Sequence, residues 1–294
     1  MSDSAEFFPG FASHWIDAPA GKIFARVHGE GRPVVLLHGF GETHVAWRKI
    51  APALSKRFTV VAMDLRGYGW SAVPASEKGE NYSKREMAAD VVAVMESLGH
   101  VRFALVGHDR GARVGQRLAL DQPGRLDKIA LINIAPINDE FGDADLQRVG
   151  RAHFLAADAP KPEELIGLDP IGFLDDALMN ATKAKSLEPF GADALAAYRQ
   201  AFNDPARIHA FCEDFRAGAT IDREHLAEDK AEGKKLVMPT LIVAGAATFP
   251  ANGPSLVAAW GEWGDDVAEA RVDSGLYPME EAPAETLAAL EKFL

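Results

Sequence analysis

The chain has 294 residues and a single cysteine, Cys212. No internal disulfide can form, and no cysteine-rich metal site exists. There is no helical His-x-x-x-His pair and no carboxylate cluster of ligand spacing, so no metal is expected. The one loop dense in glycine and arginine, Arg66-Gly67-Tyr68-Gly69, lacks the lysine of a Walker-type phosphate loop. No organic cofactor is implied. No apolar run is long enough to span a membrane. The first ten residues lack a basic stretch followed by an apolar one, so no signal peptide is expected and the cytoplasm is the expected location. Basic residues are in deficit: 31 Lys and Arg stand against 43 Asp and Glu, a net charge of -12. An acidic surface of this size argues against nucleic acid or an anionic membrane as partner. There is no internal repeat and no low-complexity tract. What is there is ordinary globular composition, 48% hydrophobic and 25% charged.

The most informative stretch is Val101-Arg102-Phe103-Ala104-Leu105-Val106-Gly107-His108-Asp109-Arg110-Gly111-Ala112-Arg113. An apolar run ends in a turn flanked by glycines, and a helical pattern carrying Val114, Leu118 and Leu120 follows. Glycine two before and two after Asp109 permits a sharp strand-to-helix turn. A side chain on such a turn stands above the sheet, near the positive end of the next helix. The geometry is that of a nucleophile elbow, with aspartate at its tip. The plainer alternative is an aspartate capping an ordinary helix.

Other elements fall in order. Strands are expected at 22–27, 33–37, 58–63, 101–106, 128–134, 240–245 and 267–272, with helices at 47–54, 83–98, after Asp109 and at 283–294. The second strand leads into His38-Gly39-Phe40-Gly41, a loop able to aim a backbone N–H at an anion in a cleft. Asp64 and Arg66 read as ties within their own loop. From Ile137 to about Ile221 the chain is rich in alanine and charge, broken by Pro160, Pro162, Pro170 and Pro189, and holds no convincing strand. Strands alternating with helices imply an α/β class with a mainly parallel central sheet, helices on both faces and a helical cap insertion. The expected division is 1–136 and 223–294 for the core and 137–222 for the cap. His38, Asp64, Asp109, Asn133, Ala246 and Leu276 should converge on one sheet edge, where ligands bind in such folds.

His38-Gly39-Phe40-Gly41, Asp64-x-Arg66-Gly67-x-Gly69-x-Ser71, the Gly107–Arg113 elbow and Gly275…Glu280-Glu281-Ala282-Pro283 together resemble the α/β-hydrolase superfamily. Within it they resemble the branch of epoxide hydrolases and haloacetate dehalogenases. The elbow, and Cys212-Glu213-Asp214-Phe215-Arg216-Ala217-Gly218-Ala219 in the cap, are most similar to fluoroacetate dehalogenases. The resemblance implies Asp109 as a nucleophile that displaces halide and becomes esterified. It implies Arg110 and Arg113, one helical turn apart, as a clamp on a small carboxylate substrate. His38 and Phe40 of the oxyanion loop join the expected substrate-binding set. Members of the branch are often dimers, so a homodimer is an open expectation.

The departures are equally specific. The branch's catalytic histidine position reads Leu276, and the orienting acid reads Asn133; the other acid position, within Gly245-Ala246-Ala247-Thr248, carries no carboxylate. The cap reads Arg151-Ala152 and Thr220 where dehalogenases place a His-Trp pair and a tyrosine. Leucine cannot take a proton, and a general base is worth about a hundred- to ten-thousandfold in rate. A surrogate among His38, His108 and His153 is one expectation. The others are a hydrolase that stalls at the ester, a non-hydrolytic lyase or isomerase on the same fold, and a carboxylate-binding protein without turnover.

Overall fold

The computed structural model describes residues 5–136 and 146–294. The expected onset of the cap at 137 lies outside the described residues. Eight strands form one sheet: β1 Ala12–Ala18, β2 Gly21–His28, β3 Arg32–Leu37, β4 Phe58–Met63, β5 Phe103–His108, β6 Leu126–Ile132, β7 Thr240–Gly245 and β8 Val267–Val272. Their spatial order is β1-β2-β4-β3-β5-β6-β7-β8. The β1/β2 and β2/β4 pairs are antiparallel and the others parallel. The architecture is the expected α/β one.

β3, β5 and β6 sit in the middle and read as continuous apolar runs. Val34 to Leu37, Leu105, Val106 and Ile129 to Ile132 are wholly buried. A strand covered on both faces has no polar side to show, which removes the alternation seen in edge strands. Each such Val, Leu or Ile contributes about 1.5–3 kcal/mol on burial. β1 is the strand the sequence reading lacks. It is an edge strand with a mixed pattern, and its Trp15 is half exposed.

The helices of the core are α1 Ala51–Leu54, α2 Lys84–Ser97 and α3 Arg110–Asp121. The expected helix at 47–54 is instead a 3-10 turn, His44–Trp47, followed by the short α1. Pro52 accounts for the break, since it can enter a helix only in its first turn. Next come α4 Leu146–Leu155, α5 Lys161–Gly167, α6 Pro170–Ala181, α7 Ala192–Phe202, α8 Pro205–Ala219 and α9 Ile221–Ala231. Prolines at or beside the first helical position of α5, α6 and α8 divide this run into short helices. The core boundary expected at 222 falls inside α9. The chain closes with α10 Leu256–Gly261, α11 Pro278–Glu281 and α12 Pro283–Phe293. Among the described residues, no helix is long and apolar enough to cross a membrane.

The parallel register aligns the carboxyl ends of the strands. Leu37 pairs with Gly107, and Ile132 pairs with both His108 and Val243. The loops that leave these ends therefore meet at one edge of the sheet.

Candidate active site at the carboxyl edge of the sheet

Asp109 stands between β5 and α3 with φ 45° and ψ −110°. That is a strained conformation for a residue with a Cβ, of the kind concentrated at functional sites. Its side chain makes no capping bond to α3. The capping alternative is therefore excluded, and the sharp turn is present. The flanking glycines are sterically required. A Cβ on Gly107 would lie 2.6 Å from the Gly111 carbonyl, and one on Gly111 would lie 2.5 Å from the Leu37 carbonyl.

The carboxylate of Asp109 is met by the oxyanion loop: Phe40 N–H donates to Asp109 Oδ2 at 3.1 Å. So Phe40 reaches the site through its backbone, as the sequence suggested for this loop. Its ring packs edge-on against Phe202, Phe211 and Phe215 of the cap.

His38 does not line the site, which corrects the expectation of a substrate contact. Its side chain is wholly buried. Nδ1 donates to Gly39 O at 2.9 Å, and Nε2 accepts from Leu65 N–H at 3.1 Å. Burial lowers its pKa, with Asp64 only partly opposing this. The ring is a neutral brace between two loops.

Arg110 is half committed elsewhere. Of its five N–H hydrogens, three go to Asp214 of α8. Nε donates to Oδ2 at 2.9 Å, and Nη2 donates to Oδ1 at 2.7 Å and to the backbone carbonyl at 2.8 Å. Its guanidinium also lies 4.3 Å from the centre of the Phe215 ring. The fork expected to grip a substrate carboxylate thus holds a carboxylate of the protein's own cap. Only the Nη1 edge is left for a ligand, so Arg110 cannot be a bidentate clamp through its Nε–Nη2 edge. Arg113 is partly buried one turn along α3, with Nη1 3.5 Å from Gln116 Oε1.

Asp214 is the centre of a buried charge network that the sequence reading quoted only as part of a motif. It also accepts from Tyr68 Oη at 2.9 Å and is paired with Lys84 Nζ. Burial works against its charge, but Arg110 and Lys84 outweigh burial and hold the carboxyl well below its ordinary range.

The other side of the site is framed by the loop after β8. Leu276 is buried there, and its carbonyl accepts from Asn133 Nδ2 at 2.9 Å and from His108 Nε2 at 2.8 Å. Asn133 Nδ2 also donates to Gly275 O at 2.8 Å, while its Oδ1 accepts from Gly245 N–H at 2.7 Å. Asn133 is therefore a fully satisfied tie between loops. Glu281 fixes the same loop. Its carboxylate accepts from Gly275, Tyr277 and Lys183 N–H at 3.0, 3.1 and 2.7 Å.

Glu42 had no place in the sequence reading. Its Oε2 accepts from Gly39 N–H at 2.9 Å and pairs with His108 Nδ1 at 2.8 Å. The signal available was an acid three residues beyond Gly39 in an otherwise apolar loop. Both ring nitrogens of His108 face acceptors, Glu42 and Leu276 O, so both donate and the ring is an imidazolium. Burial opposes this charge, but Glu42 more than offsets it and raises the His108 pKa.

None of the three surrogate histidines is poised as a base. His38 and His108 have both nitrogens engaged, and His153 is exposed on α4. Thr220, at the position matched to the halide-binding tyrosine, is exposed and donates to Arg216 O at 2.7 Å. Asp64 and Arg66 tie their loop mainly to other elements, which corrects the expectation of ties within it. Asp64 accepts from His44 and Trp70 N–H at 2.6 and 2.9 Å, and Arg66 Nε donates to Asp90 Oδ2 at 2.6 Å.

Comparison with known proteins shows the family of the chain. A family model described as the alpha/beta hydrolase fold matches residues 32–258. A fluoroacetate dehalogenase from Burkholderia sp is 37% identical over 294 residues, covering 98% of this chain and 95% of that protein. A soluble epoxide hydrolase from Corynebacterium sp. (strain C12) is 27% identical, covering 97% and 94%. The solved structure of a provisionally assigned α/β hydrolase from Nostoc sp PCC 7120 superposes with a TM-score of 0.89 at 43% identity, covering 98% of each chain.

Proposed function

The chain belongs to the α/β-hydrolase fold family, and from that premise we propose that it is a haloacetate dehalogenase-like enzyme in which Asp109 is the nucleophile. The observation that carries this reading is the strained backbone of Asp109 with Phe40 N–H on its carboxylate. Strain of this kind costs about 1–3 kcal/mol, and the surrounding fold sustains it.

In the first step an Asp109 oxygen attacks the carbon that bears the halogen of a small 2-halocarboxylate. The C–O bond forms, the carbon–halogen bond breaks, and halide leaves with the electron pair. The substrate carboxylate is held by Arg113 and the Nη1 edge of Arg110. In the second step water must attack the ester carbonyl, with Phe40 N–H receiving the developing oxyanion. This step needs a base to take the proton from water. Leu276 offers none, and the neighbouring histidines are tied. Ester formation is therefore expected to outrun ester hydrolysis.

The test is intact mass after incubation with bromoacetate, chloroacetate and fluoroacetate, with Asp109→Ala as control. One carboxymethyl group that accumulates on Asp109 supports the reading. Sustained halide release with no adduct points to a base elsewhere. Neither adduct nor halide would sink the dehalogenase reading. A non-hydrolytic reaction on a carboxylate would then be the better reading, favoured by the purely structural bonding of Asn133.

A further inference from the structure

A separate cavity of about 100 Å³ lies at the seam between core and cap. A single water needs only about 10–15 Å³ on this measure, so the space suits a ligand of several heavy atoms. Thr43, His44, Asp64 and Trp70 line it from the core, and Gln200, Asp204 and Arg207 from α7, α8 and the residues between them. None of Asp109, Arg110 and Arg113 lines it.

The lining is built around a buried dyad. His44 is 2% exposed and Asp64 wholly buried, with Nδ1 of His44 3.0 and 3.1 Å from the two Asp64 carboxylate oxygens. Asp64 accepts, so Nδ1 carries a proton. The opposite nitrogen, Nε2, is buried and has no hydrogen-bond partner among the described residues. The rings packed on His44 are those of Phe8, Phe24 and Trp70, and none bonds to Nε2. With the proton on Nδ1, Nε2 is an acceptor that no donor meets.

Across the cavity, Arg207 is under-compensated. Nη1 donates to Ser71 O at 3.1 Å and Nε is 3.5 Å from Asp204 Oδ2, while Nη2 makes no bond among the described residues. Burial outweighs Asp204 and Asp64 and lowers the Arg207 pKa. Asp204 itself is occupied as the cap of α8, where Oδ1 accepts from Ala206 N–H at 3.0 Å. The Thr43 hydroxyl accepts from Val45 N–H and keeps its own hydrogen. The Asp64 oxygens are filled by His44 and Trp70. The free donors of the lining are thus Arg207 Nη2 and the Thr43 hydroxyl.

We propose that this seam is a second binding site, for a small carboxylate anion, held by the Arg207 guanidinium and the Thr43 hydroxyl. A bound anion bridges Thr43 of the core to Arg207 of the cap, so binding fastens the cap to the core. This site does not depend on chemistry at Asp109.

Acetate is the probe. Its titration is followed by NMR at the His44 ring and the Trp70 indole N–H, in the wild type and in Arg113→Gln, which disables carboxylate binding beside Asp109. Saturable shifts at both reporters in both proteins are expected, with an acetate-dependent rise in Tm. Arg207→Gln should weaken them about tenfold or more, the worth of a charge-assisted hydrogen bond. Should that variant fail to fold, Thr43→Val takes its place, with a smaller loss expected. Shifts that vanish in Arg113→Gln but persist in Arg207→Gln would assign all binding to the Asp109 site and overturn the proposal. So would reporters that stay unmoved at the highest acetate concentration the fold tolerates.

Discussion

The side-chain amide of Asn133 donates to the backbone carbonyl of Leu276, 2.9 Å away, rather than facing its side chain. The position that resembles a catalytic acid and the position that resembles a catalytic base are thus joined through the main chain. This shapes what restoring the missing chemistry would do. Leu276→His is expected to speed halide release after the first equivalent, by up to about a hundred- to ten-thousandfold with an orienting acid present. Asn133→Asp supplies that acid, but sets a carboxylate oxygen against the carbonyls of Gly275 and Leu276. Alone it should cost about 1–3 kcal/mol, the penalty of unsatisfied buried polar groups. The double variant should therefore turn over faster and unfold at lower urea than the wild type. Halide release beyond one equivalent and urea melts check both halves; no gain in turnover from the double variant defeats the account of Leu276.

Strain at Asp109 predicts a trade of stability against function. Asp109→Gly removes the Cβ that makes φ 45°, ψ −110° costly. The gain of about 1–3 kcal/mol is offset in part by the flexibility glycine adds to the unfolded chain, about 0.5–1 kcal/mol. A net rise of about 1 kcal/mol in unfolding free energy is expected, together with complete loss of esterification. Equal or lower stability in the glycine variant would show that the turn is not held against strain.

The elements legible in the sequence were those whose pattern is local. Thr240–Gly245 and Val267–Val272 were expected at their observed limits because they are short β-rich runs between turn residues. The elbow was legible because its two glycines are needed by contacts within a few residues of Asp109 and with the adjacent strand. The pairing of Arg110 with Asp214 is illegible for the opposite reason. Spacing places a guanidinium on a helix face but does not say which carboxylate reaches it, and Asp214 lies 104 positions away. The bonding of His38 is illegible likewise: a ring beside an anion-binding loop looks the same in sequence whether it points into the cleft or beneath it. Glu42 escaped notice because its partner His108 is 66 positions on. Long-range polar pairing within the core has no periodic signature.

The Glu42–His108 pair makes stability depend on pH. His108 has a raised pKa in the folded state. Its contribution is fully present below the unfolded value of about 6.5 and is lost as pH rises through the folded pKa. Glu42→Gln removes the counter-charge, so the gap in stability between wild type and variant should be widest near pH 6 and narrow above the folded pKa. Urea unfolding from pH 6 to 9 measures the gap. A gap that stays constant would mean that His108 is neutral between its two acceptors.

Asp214 makes the opposite prediction at the acid end. Its folded pKa is depressed by Arg110 and Lys84. Its contribution is therefore present above the unfolded carboxyl value, about 3.9, and is lost as pH falls from there toward the folded pKa. In Asp214→Asn that loss cannot occur, so the acid limb of the stability profile should be shallower than in the wild type. At pH 7 the same variant leaves Arg110 and Lys84 without their carboxylate. Removing one partner of a buried ion pair costs about 3–5 kcal/mol, and the amide oxygen recovers part of it. The two curves should therefore converge as pH falls below about 4. Arg110, freed from Asp214, also gains its Nε–Nη2 edge for substrate. Esterification of Asp109 by bromoacetate in the folded variant should then saturate at a lower concentration. Curves that run parallel across the acid range would mean that Asp214 is not the charge that holds Arg110 in place.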